Sequence, residues 1–346
     1  MNRTRILVTL AVGAVLALLV YFQFRAWKEF DWALMLAQAR RADPLRLLAG
    51  VALIYSVYFL RALRWHIFLR PVRDVSPRRL LGPTIIGFTG LALLGRPGEL
   101  IRPYLIARRQ GLTLSSQIAV WTVERIFDGG AVAVFLAGVV FSGALASTPF
   151  FQRSPAALQH LNQLAYLLVA GVLAGALLAV AARRHGTSLA AALEKRLAPL
   201  SPRLAHHVRH RVQAFGEGLN TIHDLTSFLQ VTGLSLLIWA VIALAYFQVT
   251  HAYSELADIT VAHVVLLMVS SMAGSILQLP AVGGGSQLAI IKVLEAVFAV
   301  KPELAVGCGI LLWLVTFMAI APVGLVLAHR EHLSLRKVEE ESHVED

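Results

Sequence analysis

The sequence predicts an all-α fold: a polytopic integral membrane protein with about six full spans and two re-entrant helical hairpins in an inverted repeat. Three observations carry this. Of 346 residues, 57% are hydrophobic and only 15% are charged, where soluble domains carry about 25% charged residues. The apolar residues gather into runs of the length that a bilayer core demands, about 20 residues per helix. Two further apolar runs are shorter and are interrupted by clusters of glycine and proline.

The runs that satisfy the length rule are 6–24, 45–69, 115–145, 161–182, 228–250 and 304–328. The first follows Arg3 and Arg5 and resembles a signal sequence. Its apolar stretch is longer than a signal core and lacks a small-residue cleavage site, so it reads as a retained span. The interrupted runs are Leu80–Leu94, ending in Gly95-Arg96-Pro97-Gly98, and Val261–Leu279, followed by Pro280-Ala281-Val282-Gly283-Gly284-Gly285. Proline and clustered glycine stop helices. Non-helical backbone at membrane depth survives only inside protein or against a cavity. Each run therefore predicts a half-helix in, a sharp turn and a half-helix out. The two share a polar residue after the turn (Glu99, Gln287) and a following span with a tryptophan (Trp121, Trp313), at an offset of about 190 residues. The three spans between them would invert the second relative to the first, and interrupted segments at matching places in two halves point to a midplane site.

Basic residues set the expected orientation. Arg70, Arg73, Arg78 and Arg79 follow the second span, Arg102, Arg108 and Arg109 follow the first turn, and seven Lys/Arg fall in 183–211. The positive-inside rule makes these cytoplasmic, with both termini on the same side. The segment 25–46 is basic yet falls outside; Trp27, Phe30 and Trp32 suggest that it lies in the interface. Residues 1–330 then form one transmembrane domain, with 183–224 a cytoplasmic amphipathic loop of two helices divided by Pro199 and Pro202, and 331–346 an acidic, disordered tail. A formal net charge of +11 would suit nucleic acid, but its clustering beside apolar runs fits anionic headgroups instead.

Charge inside the apolar runs marks the candidate site. Glu124, Arg125 and Asp128 lie within a predicted span, and each charge at a helix centre costs roughly 2.5–3.5 kcal/mol to insert. Glu124 and Asp128 share a face at i, i+4, and Arg125 reaches Asp128 at i+3. They form either a structural clamp between helices or a binding site. Arg96, Glu99 and Arg102 flank the first turn, where backbone N–H groups and guanidinium forks suit phosphate; an ordinary basic loop is the alternative. Arg61 and Arg64 sit one turn apart beside Trp65, where snorkelling to the headgroups explains them as well as a place in the site does. Gly284 and Gln287 mark the second turn, which carries no charge and suits a hinge as well as a ligand contact; Lys292 and Glu295 beyond it are spaced to pair.

His206, His207 and His210 have helical spacing but lack a carboxylate partner, so no metal or other cofactor is expected. Cys308 is the single cysteine and reads as a packing residue. No nucleotide loop and no nucleophile elbow is present.

Taken together, Gly95-Arg96-Pro97-Gly98-Glu99-x-x-Arg102, Glu124-Arg125-x-x-Asp128, Pro280-x-x-Gly283-Gly284-Gly285 and Arg61-x-x-Arg64-Trp65 resemble the flippase-like membrane family typified by the membrane domain of bacterial lysylphosphatidylglycerol synthase/flippase. The likeness spans about residues 5–330. It implies a multi-pass protein of the bacterial inner membrane, with re-entrant helices, that moves or handles lipids; the arginines at the first turn suit an anionic headgroup as its ligand, and no enzymatic activity is expected. The family's soluble aminoacyl-transfer domain does not follow in this chain. The family usually carries a glutamate after the second glycine turn, where this chain has Gln287, so ion coupling is not implied. Three functions compete at this point: lipid translocation, a membrane-embedded enzyme acting on a lipid headgroup, and a scaffold for lipid-biosynthesis enzymes. Self-association into a homo-oligomer is compatible with each.

Overall fold

The computed structural model describes residues 32–197, 224–275, 278–279 and 283–330. The expected first span at 6–24, the second half of the 183–224 loop and the tail at 331–346 lie outside the described residues. Within them the chain is helical apart from one pair of two-residue strands.

The order begins with α1 (Trp32–Arg41), α2 (Pro44–Leu69), α3 (Pro77–Leu94), a 3₁₀ turn (Arg96–Leu100), α4 (Ile101–Gln110) and α5 (Leu114–Phe141). Then come the short α6 (Pro149–Arg153), α7 (Pro155–Leu197) and α8 (Leu225–Thr250). The last part holds α9 (Val261–Gly274), strands β1 (Gln278–Leu279) and β2 (Gly283–Gly284), α10 (Gly285–Ala296), α11 (Pro302–Trp313), a π-helical segment (Leu314–Met318) and α12 (Ala321–Arg330). Four helical stretches are long and apolar enough to cross a membrane: Pro44–Leu69, Pro155–Leu177, Leu225–Thr250 and Pro302–Arg330. α5 matches them in length at 28 residues and differs by its three central charges.

Helix starts follow local chemistry. Asp43 caps α2 by accepting from Leu45 N–H at 2.8 Å, with Pro44 at the first helical position. Thr113 caps α5 by accepting from Ser116 N–H, and Thr260 with His263 forms a capping box at α9. Two predicted boundaries change. α7 does not stop near 182 but runs unbroken to Leu197, so the first part of the expected cytoplasmic loop continues the span; its Ala/Leu-rich sequence offers no breaker before Pro199. The last span, expected as one helix over 304–328, is interrupted by the π segment. Pro322 cannot donate to Met318, which frees a carbonyl there.

Both predicted hairpins fold back on themselves. In the first, Gly95 takes φ 71°, and α3 packs on both the 3₁₀ turn and α4. A Cβ at Gly98 would overlap the Gly90 carbonyl. In the second, β1 and β2 pair antiparallel, Gln278 opposite Gly284, and a Cβ at Gly274 would overlap the Gly285 carbonyl. Backbone contact at glycine thus closes both turns.

Packing repeats the same plan twice. α2 packs on α3 and α8 on α9; α4 packs on α5 and α10 on α11. Each hairpin's first arm also meets the closing span of the other unit, α3 on α12 and α9 on α5. The units join along α2 and α8, which run antiparallel: Asp43 N–H, at the start of α2, donates to the Ala252 carbonyl just past the end of α8 at 2.8 Å. The largest apolar core follows this seam through Val57, Tyr58, Ile238, Ala245 and Val249. α7 lies at the periphery against α5; its membrane-length window is only 6% buried.

Candidate functional site

At the centre of the seam, α2, α4 and α5 bring their charges together, and α8 adds Ser235 and Trp239. Glu124 is fully buried. Its carboxylate accepts from Arg64 Nη2 at 2.5 Å, from Trp65 Nε1 at 3.0 Å and from both terminal nitrogens of Arg102. Asp128, one turn on, accepts from Arg64 Nη1 at 2.7 Å and Trp239 Nε1 at 3.1 Å, and pairs with Arg125 at 2.8 Å. Arg64 thereby bridges both carboxylates and also donates to Ser235 Oγ at 2.7 Å. Removing two charges from water costs several kcal/mol each, and only a full set of hydrogen bonds offsets that. The two indoles complete the set for the carboxylates, and the serine accepts a further bond from Arg64.

Local sequence explains the placement. Arg61 and Arg64 project from one face of α2, Glu124 and Asp128 from one face of α5, and Ser235 and Trp239 from one face of α8, at i, i+3 or i, i+4. Arg102 reaches Glu124 because Gly87 on α3 has no side chain; a Cβ there would overlap that of Arg102. Arg102 also lies over the Trp65 ring at 4.8 Å and Phe88 at 5.2 Å. Neither Arg61 nor Arg64 snorkels. They are 6% and 0% exposed, because α5 supplies their carboxylates inside the protein.

A cavity of about 290 Å³ opens beside this cluster. Arg61, Arg96, Glu99, Arg125 and Asp128 line it, with Tyr58 and Phe88 among its aromatic wall and Ser271, Ser275 and Thr316 as neutral polar groups. Arg96 donates to Glu99 at 2.7 Å and to Ser275 Oγ at 3.0 Å, joining the first turn to the end of α9. The cavity therefore lies between the two hairpins. Arg61 holds its carboxylates loosely, Asp128 at 3.5 Å and Glu124 at 3.7 Å. The Nε atoms of Arg61 and Arg125 are buried without a hydrogen-bond acceptor.

Of the residues singled out in the sequence, Arg61, Arg64, Arg96, Glu99, Arg102, Glu124, Arg125 and Asp128 form one connected group. Arg64, Arg102 and Glu124 lie behind the cavity wall, and the others face it. Gly284 and Gln287 do not line this cavity: Gln287 Oε1 accepts from Gly284 N–H, within the second turn. Lys292 and Glu295 pair with each other at 2.8 Å. Ser235, Trp239 and Ser275 escaped sequence reasoning. The i, i+4 pair of polar-tipped residues in the apolar run 228–250 was the available signal for the first two.

A second, larger groove of about 390 Å³ lies between α5, α7 and α8 and is almost wholly apolar, lined by Phe127, Val134, Val172 and Leu236 among others. No charged side chain among the described residues lines it.

The family model for the lysylphosphatidylglycerol synthase transmembrane region matches residues 6–324. The chain belongs to that family. No curated protein and no solved structure matches it. Membership establishes a multi-pass, membrane-embedded protein of a lipid-related family, and the cation-lined cavity falls inside the matched region.

Proposed function

We propose that the protein carries an anionic lipid headgroup between the leaflets of the bacterial inner membrane while the tail stays in the bilayer. The observation that carries this reading is the cavity between the hairpins, where Arg61 of α2, Arg96 of the first turn and Arg125 of α5 meet among apolar helices. On this reading the hairpins are re-entrant, and the positive-inside rule supports cytoplasmic termini. Arg61, Arg96 and Arg125 hold the phosphate. Glu99, Glu124 and Asp128 hold the arginines in position. Relative rocking of the two units, each hairpin moving with the opposite closing span, exposes the cavity to one side and then the other. With Gln287 in place of a carboxylate, movement runs down the lipid's own gradient.

The test is transfer of fluorescent anionic and zwitterionic lipids between leaflets of liposomes holding the purified protein. Wild type transfers the anionic lipid. Arg96→Ala and Glu124→Gln each reduce the rate by about tenfold or more, the size expected when a charge-assisted contact of about 1.5–3 kcal/mol is lost. Unchanged rates in both variants, with each still monodisperse, would sink the site. Absence of transfer for every lipid would favour a headgroup enzyme or a scaffold.

A further inference from the structure

The charge balance of the site narrows its ligand. Five guanidinium groups, Arg61, Arg64, Arg96, Arg102 and Arg125, are linked through ion pairs to three carboxylates, Glu99, Glu124 and Asp128. Among the described residues, two positive charges are left over. The surplus is not spread evenly. Arg64 and Arg102 are spent on Glu124 and Asp128 behind the wall. The loosely held Arg61 and the half-exposed Arg96 and Arg125 face the cavity. Arg61 is 6% exposed, and its Nε, like those of Arg64 and Arg125, has no acceptor; of the three, Arg61 and Arg125 line the cavity. Buried Nε–H donors left unmet at the cavity wall cost free energy until an anion with several oxygens arrives.

Resting on the translocation reading, we infer that the cavity is matched to a dianionic headgroup: a lipid ending in a phosphate monoester, rather than a phosphodiester lipid of single charge. A monoester carries about −1.5 to −2 charges at pH 7 and three terminal oxygens. That matches both the surplus of two and the three cavity-facing arginines. A phosphodiester leaves one positive charge unmatched and offers two free oxygens. A zwitterionic headgroup leaves both unmatched. In a cavity walled by Phe88, Tyr58, Trp239 and Met268, water screens such a mismatch poorly.

The experiment is competition binding to the full chain in detergent micelles, with dioleoyl phosphatidic acid, dioleoyl phosphatidylglycerol and dioleoyl phosphatidylethanolamine. Inorganic phosphate and glycerol 3-phosphate serve as tail-free arms. Phosphatidic acid should bind about tenfold or more tighter than phosphatidylglycerol, as one further charge contact predicts. Arg61→Gln should bring that ratio to about threefold or less, and Glu99→Gln should widen it. Because the two variants move the ratio in opposite directions, a folding defect cannot imitate the result. Equal binding of the two lipids, or a ratio that neither variant moves, overturns the inference. So does binding of inorganic phosphate as tight as that of phosphatidic acid, which would make free phosphate the ligand. Leaflet transfer of phosphatidylglycerol without a phosphatidic acid preference removes this inference and leaves translocation standing. The preference without any transfer does the reverse.

Discussion

In the first hairpin the turn between α3 and α4 carries Arg96 and Glu99, and the returning arm carries Arg102. In the second, the described part of the turn and the returning arm's first turn offer glycines, Ser286 and Gln287. Yet both close through glycine-to-carbonyl contact, and both pack on the neighbouring spans in the same way. Shared backbone plan with different side chains separates two requirements. The fold needs the close approach of the arms, and charge is needed only once, on the side where α2 and α5 supply partners. Arg96, bonded to Ser275, is the point where the charged hairpin engages the neutral one.

The strongest way to break the comparison is to spoil the common plan. Gly98→Leu and Gly274→Leu each force a side chain into a backbone carbonyl of the facing arm. Overpacking a well-filled core costs about 1–3 kcal/mol and sometimes more, and a backbone obstacle cannot rotate away. Both variants should fail to give a monodisperse peak on size exclusion, and by similar margins. A normal peak for Gly274→Leu alone would mean that the second hairpin closes by other contacts and that the shared plan is superficial.

Next is the charged hairpin's anchor. Glu124→Gln keeps the shape and removes the charge that holds Arg64 and Arg102. Breaking a buried pair from one side costs about 3–5 kcal/mol, so the melting temperature in detergent should fall steeply. Exchanging the uncharged Ser286 for alanine in the other hairpin should leave it close to wild type, since the Ser286 hydroxyl is buried without a partner. Similar melting temperatures for Glu124→Gln and wild type would show that the arginines find water in place of the carboxylate.

How much of this was legible in the sequence differs between the same two regions. Charges inside an apolar run are a local signal, so Glu124, Arg125 and Asp128 stood out, and the i, i+3 rule gave the Arg125–Asp128 pair that the structure contains. The pairing of Arg61 and Arg64 with α5 was not legible. It depends on which spans become neighbours, and two arginines near a span's end look the same whether they reach headgroups or carboxylates. The indole donors Trp65 and Trp239 were hidden for the same reason, since tryptophan in a span is ordinarily packing or interface. The neutral hairpin was legible as a turn from its glycines, but nothing local told that Ser275 would receive Arg96. The continuation of α7 to Leu197 was overlooked because basic residues at 183–184 suggested a span end, although charge does not break a helix.

The closing spans extend the comparison to its smallest term. α5 closes the first unit as one uninterrupted helix, whereas its counterpart breaks into α11, the π segment and α12 around Pro322. Carbonyls beside the break take side-chain bonds from the first unit: Tyr55 on α2 donates to the Ala319 carbonyl at 2.8 Å, and Thr89 on α3 donates to the Ile320 carbonyl at 3.4 Å. Gly324 lies so close to Thr89 that a side chain there would overlap it. The break thus ties the second unit's closing span to the first hairpin, and Thr316 within it faces the cavity. Tyr55→Phe removes one of these bonds without changing packing, at a cost of about 0.5–1.5 kcal/mol. Its effect should be local, with faster amide exchange across 314–322 and little change at α5. Faster exchange in both closing spans would show that the two units loosen as one body; faster exchange in the broken span alone keeps it as the place where they move apart.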